Sequence, residues 1–184
     1  CTALFFMLNK TMFISKEVNR KFNKEYFFLK GKINIESDYF IEKIKNSCSS
    51  DKNLNFKTNV KGLMTPWQFF SNDKKFLDVV KLFVNYIDDN YNNSNYHLDS
   101  AWGFEIRPHE KTIYHAHNEA KWCGVIYLNN CEQPLNFPEI KEHIKPETGA
   151  FALFSPFLIH GCERNSDNNS KFGISFNMYD TKSW

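Results

Sequence analysis

The chain has 184 residues, 42% of them apolar and 17% aromatic with 19 Phe, and a formal net charge of +2. That length suits one domain with its own core, and the composition excludes an intrinsically disordered segment. Basic residues are scattered among acids rather than gathered into a stripe, so charge gives no reason to expect a nucleic-acid partner.

The opening Cys1 to Leu8 is apolar but too short to span a bilayer, and no basic region precedes it, so neither a membrane anchor nor a signal peptide is expected. Met7 and Met12 are candidate starts. Residues 1–97 read as a scaffold with helices. Ser37 is placed to cap a short helix carrying Phe40, Ile41 and Ile44 on one face, ending where Ser47 to Ser50 collect. A longer helix follows Ser71-Asn72-Asp73, because Phe76, Val79, Val80, Phe83, Tyr86 and Ile87 recur at helical spacing; its apolar stripe needs a sheet to lie on. Asp88 to Asn95 is rich in side chains that compete for backbone hydrogen bonds, and reads as a loop.

Residues 98–184 read as strands. Ala101 to Arg107, Thr112 to His117, Trp122 to Asn129, Ala150 to Ser155 and Lys171 to Met178 are short, aromatic and β-branched, with turn chemistry between them. Pro146-Glu147-Thr148-Gly149 and Glu163 to Ser170 are the clearest turns, and Asn130 to Lys145 is the expected lid or substrate loop. The fold expected is mainly β with flanking helices (α+β), a double-stranded β-helix or cupin-like jelly roll, in one domain.

The chemistry concentrates in three histidines. Residues at i and i+2 of a strand share a face, so His115 and His117 can chelate one ion, and His160 would complete the set from a facing strand. If the strand runs on, Glu119 faces the same way, and a carboxylate version from His117, Glu119 and His160 stands beside the three-histidine version. His97, His109 and His143 sit in polar or turn-like contexts and read as exposed. The five cysteines (Cys1, Cys48, Cys123, Cys131, Cys162) form no C-x-x-C pair, so neither a disulfide framework nor a zinc knot is expected, and a reducing, cytoplasmic compartment is. Cys123 and Cys162 read as buried and inert. In the last strand Lys171, Gly173, Ser175 and Asn177 share a small, polar face with a cation at its end, suited to an anionic ligand.

Taken together, the His115-Ala116-His117 pair, the Gly124-Val125-Ile126-Tyr127-Leu128-Asn129 tract, the run from Pro146 to His160 and the closing Ile174-Ser175-Phe176-Asn177 resemble the Fe(II)- and 2-oxoglutarate-dependent oxygenases. The likeness is to small oxygenases of bacteria and tailed phages with the pattern H-x-H, S-G-V-Y-Y-L, L-F-P-S-x-L-x-H, R-I-S-x-x-F-N. It covers residues 100 to 178, and Asn59 to Trp67 is similar to the segment before that family's first long helix. The resemblance implies iron held by His115, His117 and His160, with Lys171 pairing the far carboxylate of 2-oxoglutarate and Tyr127 hydrogen-bonding it. The reaction implied is hydroxylation of a small molecule or a protein side chain in a bacterial or phage-infected cell. Cys123 stands where the pattern has Ser, Lys171 where it has Arg, and Gly173 where a Ser often assists; the wider superfamily has H-x-D for His115-Ala116-His117. Two readings stand beside it: a cupin-like three-histidine dioxygenase or isomerase without 2-oxoglutarate, and a non-catalytic jelly-roll binding or assembly module. Substrate and oligomeric state are not legible in the sequence.

Overall fold

The computed structural model describes residues 12–22, 24–50, 59–91, 96–117 and 120–180. In chain order the elements are β1 (Met12–Phe22), β2 (Lys24–Ile33), α1 (Ser37–Ser50), β3 (Val60–Lys61), β4 (Leu63–Met64), α2 (Lys74–Tyr91), β5 (Tyr96–Ile106) and β6 (Lys111–His115). They continue with β7 (Trp122–Tyr127), β8 (Leu135–Phe137), β9 (Glu142–Ile144), β10 (Ala150–Phe154), β11 (His160–Cys162) and β12 (Lys171–Asp180). Seven strands form one sheet in the order β1-β2-β10-β7-β12-β5-β4, and five form another in the order β3-β6-β11-β8-β9. All pairings are antiparallel.

Strand periodicity sorts the core into two layers. Along β12, Phe172, Ile174, Phe176 and Met178 pack with Phe40 and Ile44 of α1 and Phe76, Val80 and Phe83 of α2. Tyr127, Val125 and Cys123 of β7 point the other way, toward Leu135, Phe137 and Cys162 of the smaller sheet. The helices therefore cover one face of the large sheet and the small sheet covers the other. Close approach explains Gly103: a Cβ there would fall 2.3 Å from Ile44 of α1.

The helices begin where their sequence signals lie, but Ser37 does not cap α1 as expected, since its Oγ is buried without a partner among the described residues. Asp73 caps α2, accepting from Phe76 N–H at 3.1 Å on Oδ1, while its backbone carbonyl takes Leu77 N–H. Its Oδ2 accepts from Tyr39 Oη at 2.8 Å and Lys43 Nζ at 2.6 Å, tying α1 to α2. The second helix runs three residues past Asp88, to Tyr91, because Ile87 is fully buried and Asn90 Nδ2 donates to Tyr86 O. Residues 92–95 of the expected loop lie outside the described residues, as do the opening Cys1 to Leu8 and Glu119.

Two sequence expectations change. The first half is not helical scaffold alone, since it supplies β1 to β4, and β2 sits inside the large sheet. Tyr26, Phe27, Phe28 and Leu29 are all buried because β2 has the helices on one side and the small sheet on the other, so its sequence shows an unbroken apolar run rather than an alternation. Asn130 to Lys145 is not an open lid either. It contains β8 and β9, paired through Leu135↔Ile144, and buries Leu135, Phe137 and Ile144 between the sheets. The expected turn at Pro146 to Gly149 is present: Ala150 N–H reaches Glu147 O at 2.8 Å, with Gly149 at φ 80° where an L side chain is strained.

Candidate metal and cofactor site

His160 opens β11 and lies directly opposite His115 at the end of β6, so cross-strand pairing sets two imidazoles side by side, ring centroids 4.5 Å apart. β6 stops at His115, and His117 lies beyond it, held by its backbone N–H on Pro156 O at 2.7 Å. Its ring stacks on His160 at 5.2 Å and 3°. One nitrogen from each of His115, His117 and His160 falls within 4.8 Å of the others. The expected face-sharing of His115 and His117 is thus achieved by a strand end and a backbone tether rather than by a continuous strand.

The orientation of two rings is fixed from behind. His115 Nδ1 faces Ile113 O at 2.7 Å and His160 Nδ1 faces Leu158 O at 2.8 Å, so each Nδ1 carries the proton and each Nε2 is left bare. His160 is wedged against Phe137 and Phe154. Burial, reinforced by the neighbouring His115, pushes the His160 imidazole down to about 3. Burial and His115 push His117 down to about 4, and burial lowers His115 as well. At neutral pH all three are neutral and require no proton loss to ligate a metal.

The three histidines line a cavity of about 60 Å³ between the sheets, room for several waters or one end of a small molecule. Apolar walls come from Val60, Phe104, Ile106, Val125 and Leu135. Lys171 and Tyr127 line the same cavity. Lys171 has no exposed surface, and its Nζ contacts Gln133 O at 3.3 Å and Cys162 Sγ at 3.2 Å and lies 5.7 Å from the centre of the Tyr127 ring. No carboxylate pairs with it among the described residues. Burial, with Cys162 and Cys131 nearby, holds the Tyr127 phenol well above its ordinary range, so it keeps its O–H as a donor. Burial raises Cys123 to about 12, in keeping with an inert thiol.

Several contributors escape a reading of the sequence: Gln133, whose carbonyl receives Lys171, and Phe137 and Phe154, which hold His160. Phe137 and Gln133 lie in the stretch expected to be a loop, and only the spacing of Leu135 and Phe137 signals that it turns inward. His109 and His143 are exposed as expected, whereas His97 is half-buried, with Nδ1 unpartnered among the described residues.

No protein-family model matches the chain, and no curated protein matches it by sequence. Solved structures do. The viral collagen prolyl hydroxylase of Paramecium bursaria Chlorella virus-1, in complex with 2-oxoglutarate, matches with a TM-score of 0.62 at 15% identity, covering 78% of this chain and 88% of its own. A prolyl-4-hydroxylase of Pseudomonas putida matches at 0.62 and 9% identity, over 83% of this chain and 92% of its own. HygX of Streptomyces hygroscopicus, with nickel and 2-oxoglutarate bound, matches at 0.61 and 11%, over 84% and 83%. The chain has the fold of these 2-oxoglutarate-dependent oxygenases.

Proposed function

We propose that the chain is an Fe(II)- and 2-oxoglutarate-dependent oxygenase, a hydroxylase in reaction class, built as one domain on a double-stranded β-helix. One observation carries this reading: a cluster of three neutral imidazoles and a buried ammonium with no counter-ion among the described residues line the same cavity. The two halves of that cavity ask for different partners. Three bare imidazole nitrogens fit a first-row transition ion and leave its remaining positions open. A buried, unpaired ammonium costs several kcal/mol in an apolar site, roughly, and a carboxylate ligand removes that cost. A dicarboxylate that chelates the metal at one end and presents its other carboxylate to Lys171 satisfies both.

The residues present fit both groups, and their parts are distinct. His115, His117 and His160 would hold the iron, the carbonyls of Ile113 and Leu158 fixing two of the rings. Lys171 would pair the distal carboxylate as a point charge, and Tyr127 would add an O–H donor. Phe104, Val125, Leu135 and Phe154 keep bulk water from the reacting centre. When bound, Fe(II) and 2-oxoglutarate together supply the reduction of dioxygen, with carbon dioxide and succinate as products and one oxygen atom delivered to a C–H bond of the substrate. The prolyl hydroxylases among the structural neighbours support a hydroxylation outcome.

A second reading is favoured by one feature: the cluster holds no carboxylate among the described residues. A cupin-like three-histidine enzyme independent of 2-oxoglutarate would share the metal site but not the need for Lys171. Succinate formation from 2-oxoglutarate separates the two. It is expected to require Fe(II) and to vanish in His160→Ala; metal-dependent turnover of another substrate that is indifferent to 2-oxoglutarate would favour the cupin-like reading.

A further inference from the structure

Two thiols, Cys123 and Cys162, line the cavity that holds the histidines, and the proposed function uses neither. They differ in what meets the sulfur. Burial holds Cys123 as an inert thiol, raised to about 12. Cys162 Sγ instead receives the Lys171 ammonium, Nζ to Sγ 3.2 Å. The third buried thiol, Cys131, meets Asn165 Oδ1 at 3.6 Å. Cys162 is therefore the thiol that the fold sets against a nitrogen able to bond to it.

This contact is a product of sheet packing. Cys162 ends β11 of the small sheet, paired with Thr112, and Lys171 opens β12 of the large sheet, paired with Ile106. The connection between them, residues 163–170, is fixed by fully buried Asn165. Its Nδ2 donates to Ile106 O at 3.3 Å and Asn169 O at 3.0 Å, and its Oδ1 accepts from Asp167 N–H at 3.1 Å. Lys171 Nζ is steadied from a third side by Gln133 O at 3.3 Å. Both residues are closed to bulk solvent, Cys162 at 3% exposure and Lys171 at 0%, and both line the cavity of about 60 Å³, which has room for a molecule as small as hydrogen peroxide.

We infer that Cys162 and Lys171 form a redox-reversible sulfur–nitrogen cross-link that removes the Lys171 cation from the cavity. Hydrogen peroxide is the oxidant. Its O–O bond breaks as one oxygen goes to Cys162 Sγ, giving a sulfenic acid, and the other leaves as water; sulfur loses two electrons and the peroxide gains them. Lys171 Nζ gives up one proton to solvent and, as the amine, displaces the hydroxyl, which takes a second proton and leaves as water. The third proton stays on nitrogen, an S–N bond replaces the S–O bond, and the positive charge is gone. A thiol reductant attacks the sulfur and restores thiol and amine. A sulfenic acid with no nitrogen or thiol beside it goes on to sulfinic acid, so the neighbour at 3.2 Å decides the product. The loss of 2-oxoglutarate binding that follows rests on the proposed function; the cross-link does not.

The test is mass spectrometry of the full, metal-free chain after a modest excess of hydrogen peroxide, digested with trypsin under non-reducing conditions. Trypsin cuts at Arg164, between the two residues, so the cross-link appears as two peptides joined, lighter than their sum by two hydrogens and uncut at Lys171. Dithiothreitol is expected to separate them and restore cleavage at Lys171. Cys162→Ser and Lys171→Arg are each expected to abolish the joined species, and Cys123→Ser to keep it. Unmodified Cys162, or Cys162 as sulfinic acid with Lys171 cut normally, in the wild-type protein overturns the inference. After peroxide is removed and Ni(II) added, calorimetry should show 2-oxoglutarate bound about tenfold more weakly or worse by the cross-linked protein, with recovery in dithiothreitol. Cross-linking without that loss would contradict the part given to Lys171 under the proposed function, so the two failures are read separately.

Discussion

Under the proposed function, Lys171 sets stability against ligand binding. Its ammonium has only a carbonyl, a thiol and an aromatic face around it, with no anion among the described residues, so the folded apo protein holds it at a cost. Lys171→Met keeps the length and apolar volume of the side chain and deletes the charge. This variant should be neutral to more stable by about 1 kcal/mol or more in denaturant melts, while losing affinity for 2-oxoglutarate. A marked destabilisation would show that Lys171 serves the fold rather than a ligand. His160 acts differently, because it both packs on Phe137 and Phe154 and offers its Nε2 to the cluster. His160→Ala is expected to abolish tight Fe(II) or Ni(II) binding by isothermal titration, with folding retained by circular dichroism; unchanged metal affinity would remove it from the ligand set.

At the scale of elements, the cap on α2 and the inward turn of β8 matter most. Asp73 is partly buried, which by itself would raise its carboxyl, but hydrogen bonds from Lys43, Tyr39 and Phe76 N–H outweigh burial and hold it below the usual range. Its folded value is thus depressed relative to the unfolded one. Its contribution is fully present above about pH 4, the ordinary Asp value, and is lost as pH falls through the lowered value in the folded state. Asp73→Ala should cost about 1–2 kcal/mol at neutral pH through loss of the cap, and the deficit should shrink in acid. A deficit that stays constant down to acid pH would contradict the role of its charge. Phe137, from the stretch that reads as a loop, fills the space between Phe28, Phe154 and His160. Phe137→Ala should cost roughly 3–5 kcal/mol, a core-sized penalty that a mobile lid would not show.

The sequence expresses this β8 segment poorly for a physical reason. Three-residue strands bounded by Pro134 and Pro138 give too few positions for an alternation to register, although Leu135 and Phe137 do alternate inward. The strand β2 was hidden differently: Phe27-Phe28-Leu29 is buried on both faces of the sheet, and an apolar run of that kind carries no period. By contrast α2 and β12 each have one apolar face against the core, and their periods of 3.6 and 2 stand out. The three histidines were visible because metal ligation needs few residue types at fixed spacing. Their supporting partners, the Ile113 and Leu158 carbonyls and the Gln133 carbonyl under Lys171, are backbone groups that any residue supplies.

For the whole molecule, the layers place between two sheets an apolar-walled cavity into which three imidazoles and the Lys171 ammonium are set. No helix among the described residues is long and apolar enough to cross a membrane. Cys48, Cys123, Cys131 and Cys162 are all free thiols, so no disulfide joins the described residues. Ligands should therefore add stability to the folded state: metal and 2-oxoglutarate each at about a hundredfold over their dissociation constants should raise stability by roughly 2.7 kcal/mol per ligand, read as a shift in melting temperature that a chelator reverses. The most direct measurement is an anaerobic titration of the Fe(II)-loaded protein with 2-oxoglutarate, following the weak visible charge-transfer band of a chelated keto acid. The band should appear in the wild type and require far more 2-oxoglutarate in Lys171→Met. Iron binding with no band, or a band indifferent to Lys171, would contradict the assignment of this cavity to 2-oxoglutarate.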